Sequence, residues 1–240
     1  MNVKGISASG KSTRLYTLLD YLKKSGYTFE DFRRPDYNGK EQSYGIFIKE
    51  FNTVVLGKYY TKDDIFRFQG FDAVSGRQNK AAKWSDWLAE VGADHNIIME
   101  GAGITGSYRF RPKYLKERNP NLDLVANFYY NYEEEEKQAY RDRVTYRSGK
   151  PPKKDSMWEG RSGFVRDFEM AQDEEKEVGD KLRCVLIYGS YSLPLWDLGV
   201  HFFTKIYDAP DHLKAFKEFA EASDYVNVNK YNGKPILEEA

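Results

Sequence analysis

Gly5, Gly10, Lys11 and Ser12 stand in the stretch GISASGKS at the spacing G-x-x-x-x-G-K-[ST]. Glycines so placed let consecutive backbone N–H groups curl around phosphate oxygens, while the lysine reaches the terminal phosphates and the hydroxyl faces a divalent cation. Gly5, Ser7, Ala8, Ser9, Gly10, Lys11, Ser12 and Thr13 are therefore the candidate nucleotide-binding residues. A glycine–serine turn before an ordinary helix is the plainer alternative. Farther along, NIIMEGAG closes an apolar run on Glu100 and follows it with Gly101 and Gly103. A carboxylate there, with Ser12, suits Mg2+, which favours one or two carboxylates together with phosphate oxygens; a charged residue ending a strand explains the same letters. Asp72, between Gly70 and Gly76, is read either as the group that accepts the proton of an attacking hydroxyl or as an aspartate that makes a turn.

Two basic groups add to this set. Lys137, Arg141, Arg143, Arg147, Lys150, Lys153, Lys154, Arg161 and Arg166 face only Asp142, Asp155 and Glu159 in the same stretch. Arginines flanking a mobile segment close over a triphosphate and neutralise the charge of the transition state, which makes Arg141, Arg143 and Arg147 catalytic candidates. A solvated helix face is the alternative. Arg109, Arg111, Lys113, Lys116 and Arg118 alternate with Tyr108, Phe110 and Tyr114. Cations among aromatic rings suit a substrate with phosphates and stackable bases, so Tyr108, Arg109 and Arg111 are candidate substrate contacts; an amphipathic helix with core aromatics fits equally. His95, His201 and His212 lack metal-ligand spacing.

The elements that must position these residues follow from hydrophobic spacing. STRLYTLLDYLKKSG, directly after the loop, carries Leu15, Leu18, Leu19 and Leu22 on one helical face, so the helix aims its N–H groups at whatever the loop holds. Residues 44 to 60 predict two strands turning near Glu50 to Asn52; a helix is expected at about 79 to 91, and strands at 96 to 100 and 122 to 130. Helices at 133 to 147 and 164 to 178, a strand at 183 to 190 and an amphipathic helix in DHLKAFKEFAEA complete the series. Residues 148 to 163, rich in proline and glycine, form an excursion. Strands alternating with helices indicate a parallel sheet covered on both faces.

With 240 residues, the chain suits one domain, here taken as 1–240. Lysine plus arginine number 37 and aspartate plus glutamate 37, so any affinity for nucleic acid must rest on local clusters. A lone cysteine, Cys184, excludes an internal disulfide and points to a reducing, cytoplasmic setting. No apolar run approaches the roughly 20 residues that cross a bilayer, so no membrane partner is expected.

With the loop, the acid-ended strand and the arginine-flanked excursion in this order, residues 1 to about 190 resemble the P-loop nucleoside and nucleotide kinases. The resemblance implies a P-loop NTPase α/β fold: a three-layer sandwich with a mainly parallel central sheet, a β-hairpin and a mobile basic lid at about 148–163. It also implies ATP and Mg2+ as cofactors. That family usually carries aspartate where this chain has Glu100. VVLGKYY, then GFDAVSG, then IMEGAG and the basic lid look most like the bacteriophage kinases that phosphorylate 5-hydroxymethyluracil within DNA. The acceptor is then a base hydroxymethyl group on DNA, in the host cytoplasm if the chain is phage-encoded, and the base must be turned out of the stack or presented single-stranded. A kinase of free nucleoside monophosphates and a non-catalytic nucleotide- or DNA-binding module are the rival expectations.

Overall fold

The computed structural model describes residues 1–5, 10–60, 69–101, 110, 112–120, 127–130, 141, 144–145, 149–153, 166, 169–170, 173–174, 176–177 and 196–223. Leu15, Leu18, Leu19 and Leu22 are all fully buried, and the helix α1 (Lys11–Lys24) forms along the stripe they make. Lys23 and Lys24 lie in its last turn, where the dipole is negative.

Among the described residues six strands make one sheet. β1 (Asn2–Gly5) is short and central, parallel to β5 (Asn96–Gly101) on one side and to β6 (Asn127–Tyr130) on the other. β4 (Thr53–Leu56) pairs parallel with β5, while β3 (Glu41–Ile48) and β2 (Phe29–Pro35) add antiparallel beyond it. The order is β2-β3-β4-β5-β1-β6. The expected hairpin is β3 and β4, joined through a 3-10 turn at Lys49–Phe51 with Asn52 in the left-handed region.

Of the five described pairings three are parallel, joining four adjacent strands, and β2 and β3 add an antiparallel edge that makes the sheet mixed. β2 was not anticipated. In FEDFRRP only Phe32 is buried, and the acids, arginines and closing Pro35 are what an edge strand carries to deter further pairing. Between β2 and β3 the register slips at Phe32/Arg33, since Phe32 faces Gly45 and Arg33 faces Ser43. Tyr44 is thus the extra residue of a bulge, and its ring turns inward to stack on Trp87 at 4.8 Å. Its hydroxyl donates to Pro35 O at 3.0 Å and accepts from Gln78 Nε2 at 2.7 Å.

Helices cover both faces, and the architecture is mixed α/β. On one face α2 (Ala81–Asp94) and α3 (Pro112–Arg118) bring Trp84, Trp87, Leu88 and Leu115 against Val54, Leu56 and Met99. On the other, α1 packs against Ile46, Ile48, Val55 and Ile98. The same core holds Leu198 of α4 (Asp197–His201), Phe202 and Phe203 of the π-helical turn Phe202–Ile206, and Phe216 of α5 (Pro210–Ala222). The segment from 197 to 206 also went unanticipated. Most of the helices expected at 133–147 and 164–178, the strand at 183–190 and most of the lid lie outside the described residues. Among the described residues no helix is long and apolar enough to cross a membrane.

Candidate active site

β1 ends at Gly5 and α1 begins at Lys11, so the loop spans the gap between a strand end and a helix N-terminus. Gly10, the residue before the helix, has φ 80°, a left-handed conformation that glycine adopts without a side-chain penalty. No acidic residue occupies the first turn of α1, so its N–H groups and positive dipole end meet no carboxylate from that turn. Lys11 is nevertheless buried. Its Nζ lies 3.7 Å from Glu100 Oε1, and Ser12 Oγ donates to the same oxygen at 2.9 Å. The parallel register of β1 on β5 sets Val3 opposite Glu100, which brings the carboxylate level with the start of the loop.

The segment after β4 closes the site from the other side. A β carbon at Gly70 would overlap both the carboxylate and the carbonyl of Glu100, so only glycine lets the backbone pass so near. Phe71, fully buried against Trp84 and Phe110, anchors that passage in the core. One residue on, the Asp72 carboxylate oxygens lie 3.2 and 3.3 Å from where a β carbon of Gly101 would be. Tyr59 is buried as well. Burial first, then the negative charges of Glu100 and Asp72, push its hydroxyl well above its ordinary pKa of 10.

A buried ion pair sits beside the start of α1. Arg14 donates from Nε to Asp197 Oδ2 at 3.0 Å, with both side chains under a tenth exposed, and its Nη1 lies 2.5 Å from where a β carbon of Gly10 would be. The guanidinium therefore lies against the glycine that opens α1.

Lys11, Ser12, Glu100 and Asp72 thus come together, with Gly10 and Thr13 at the helix start. Ser7, Ala8, Ser9, Tyr108, Arg109, Arg111, Arg143 and Arg147 lie outside the described residues, whereas Arg141 is helical and exposed. Tyr59 and the Arg14–Asp197 pair were missed from the sequence. The place of Tyr59 after a strand and a glycine marks only a loop, and the ion pair joins residues 183 positions apart and leaves no local signal.

A family model described as 5-hmdU DNA kinase 2 matches residues 1–190. The chain belongs to that family. No curated protein and no solved structure matches it. Membership makes the chain an enzyme, a kinase of a modified pyrimidine in DNA, and a kinase requires a nucleotide donor. The matched region contains the six described strands, whereas α4 and α5 lie beyond it. Arg14 of α1 is thus paired with a residue of a helix outside the matched stretch.

Proposed function

We propose that this 5-hmdU DNA kinase family member transfers the γ-phosphoryl group of ATP to the hydroxymethyl oxygen of 5-hydroxymethyluracil in DNA. The observation that carries the reading is the convergence of Lys11 and Ser12, from the first turn of α1, on one oxygen of Glu100 at the end of a parallel strand. The order β4-β5-β1-β6, all parallel, with the glycine loop after β1 and the acid at the end of its neighbour β5, supports a P-loop fold. In it, residues 1–240 form one domain, since α4 and α5 bury against α1.

Loop amides from Gly5 to Thr13 and the Lys11 ammonium hold the β and γ phosphates. Ser12 and Glu100 offer hard oxygen donors that fit Mg2+, and among the described residues no group of three or more histidine, cysteine or acidic side chains forms a cage of its own. Such a donor set suits an ion that completes its shell with phosphate oxygens and water, and the ion would supply charge neutralisation at the phosphates. Asp72 orients the acceptor and takes its proton as the acceptor oxygen bonds to the γ phosphorus. The bond from that phosphorus to the β,γ-bridging oxygen breaks, and ADP leaves. Arg141, Arg143 and Arg147 neutralise charge in flight, while Tyr108, Arg109 and Arg111 hold the DNA. The reaction takes place with the DNA, in the cytoplasm.

Radiolabelled ATP offered with Mg2+ to hydroxymethyluracil DNA and, separately, to free nucleotides tests the reading. Label in DNA is expected. Label only in mononucleotides would reassign the acceptor, and tight ATP binding with no turnover would leave a binding module. Lys11→Ala should abolish transfer while the circular dichroism spectrum is kept; full activity in that variant removes the assignment of the loop.

A further inference from the structure

The β2–β3 extension takes no part in building the phosphate loop, yet it walls a cavity of about 490 Å3. That volume lies in the range of roughly 300–1,000 Å3 usual for ligand pockets. Its place in the sheet is informative. Leu56 is in register with Met99, so Gly57, which lines the cavity, comes level with Glu100 on the adjacent strand. β1 flanks β5 on the opposite side, and Lys11 and Ser12 in the first turn of α1 meet Glu100. Glu100 therefore stands between that turn and the cavity. Two lining residues connect the cavity to the carboxylates: Tyr59, which feels the charges of Glu100 and Asp72, and Gln69, whose neighbour Gly70 packs on Glu100.

The lining chemistry suits a nucleotide acceptor. Phe29 and Tyr60 stand edge to face at 6.1 Å, and with Ile46 they give apolar and aromatic surface for a ring. The Gln69 amide carries both donor and acceptor, as a uracil edge requires. Lys23, Lys58 and Arg77 add positive charge for the phosphates on either side of an extruded nucleotide, and outnumber the acids Glu30 and Asp31 in the same lining. We infer that this cavity receives the extruded pyrimidine nucleotide of the DNA acceptor, with Tyr59 and Gln69 at the wall nearest the transferring phosphoryl group. The inference rests on the kinase reading above and names the acceptor subsite within it.

Ser43→Trp, which fills the cavity from β3, and Tyr60→Ala, which removes an aromatic wall, test it. For each, calorimetry measures Mg·ATP binding, and steady-state labelling of a hydroxymethyluracil oligonucleotide gives kcat and KM. Base stacking on an aromatic ring predicts a rise in KM for DNA of about tenfold or more, with ATP affinity unchanged. Unchanged KM for DNA with ATP binding intact overturns the inference. So does weakened ATP binding, which would make the cavity the donor's base site. An oligonucleotide carrying 5-iodouracil at the acceptor position, irradiated with the wild-type protein, should crosslink to the peptide containing Tyr59 and Tyr60; a crosslink confined to peptides away from the cavity overturns it without any variant. Wild-type protein that labels no DNA removes the proposed function instead, and the crosslink, which needs no turnover, then decides the cavity separately.

Discussion

Asp197→Ala takes away the carboxylate that Arg14 meets at 3.0 Å in a setting where the two side chains are 3% and 9% exposed. Water does not reach this pair to screen it, so the loss is that of breaking a buried ion pair from one side, about 3–5 kcal/mol. Against a typical domain stability of about 5–15 kcal/mol, that changes the folded-to-unfolded ratio by at least about a hundredfold. The effect should also reach the nucleotide, because the guanidinium lies against Gly10 and would be released toward the loop. Urea denaturation of the wild type, of Asp197→Ala, of Arg14→Met and of the Arg14→Met/Asp197→Leu double variant measures the coupling, with Mg·ATP calorimetry on each. The single carboxylate loss should be the most damaging. The double variant should recover most of the stability, since an apolar pair of similar volume leaves no charge uncompensated. A cost below about 1 kcal/mol for Asp197→Ala, or a double variant as unstable as the sum of the singles, would refute the reasoning.

Gly70→Ala should lower transfer by at least about a hundredfold, the scale of a misplaced reacting group, with little change in the circular dichroism spectrum; wild-type kcat would show that the passage over Glu100 has room to spare. Ser12→Ala should raise the Mg2+ concentration needed for half-maximal labelling, and chelation should abolish labelling in the wild type; an unchanged Mg2+ curve removes Ser12 from the ion's shell. Tyr59, Tyr44 and Tyr207 all have raised pKa values, burial being the largest cause in each. The folded state then holds protons that the unfolded chain releases near pH 10, so stability present below pH 10 should fall as pH rises above it, by at most about 1.4 kcal/mol per unit for each tyrosine. Urea midpoints from pH 9 to 11 check this, and Tyr207→Phe should flatten the slope.

What could be read from the sequence divides by the range of the interaction responsible. α1 announces itself through its leucine stripe, and β5 through an apolar run of strand length, because both patterns are local. Glu100 was legible for the same reason, as the acid that closes that run. β2 was not, since an edge strand of acids and arginines lacks the alternation that marks a half-buried strand; its partner β3 defines it. Asp197–Ile206 escaped because Gly199, Val200 and Thr204 are poor helix formers, and the burial of Leu198, Phe202 and Phe203 against α1 overrides that preference. Tyr59 fell in a loop whose nearness to Glu100 depends on the parallel pairing of β4 with β5.

The pairing of Lys11 with Glu100 bears on how a buried charge at this site is compensated. An ammonium buried alone would be strongly disfavoured, and a carboxylate beside it offsets that cost. Ser12 contributes a hydrogen bond to the same oxygen, so a lysine and a hydroxyl from one helical turn share a single acceptor. In the proposed reaction Ser12 and Glu100 would hold a divalent ion, which would supply positive charge at that carboxylate, and the phosphates would be the alternative partner of Lys11. Exchange of one set of charges for another leaves no buried group uncompensated at any stage. That condition explains why lysine, hydroxyl and carboxylate must come from a helix start and an adjacent parallel strand, the pair of elements that the β5–β1 register holds level.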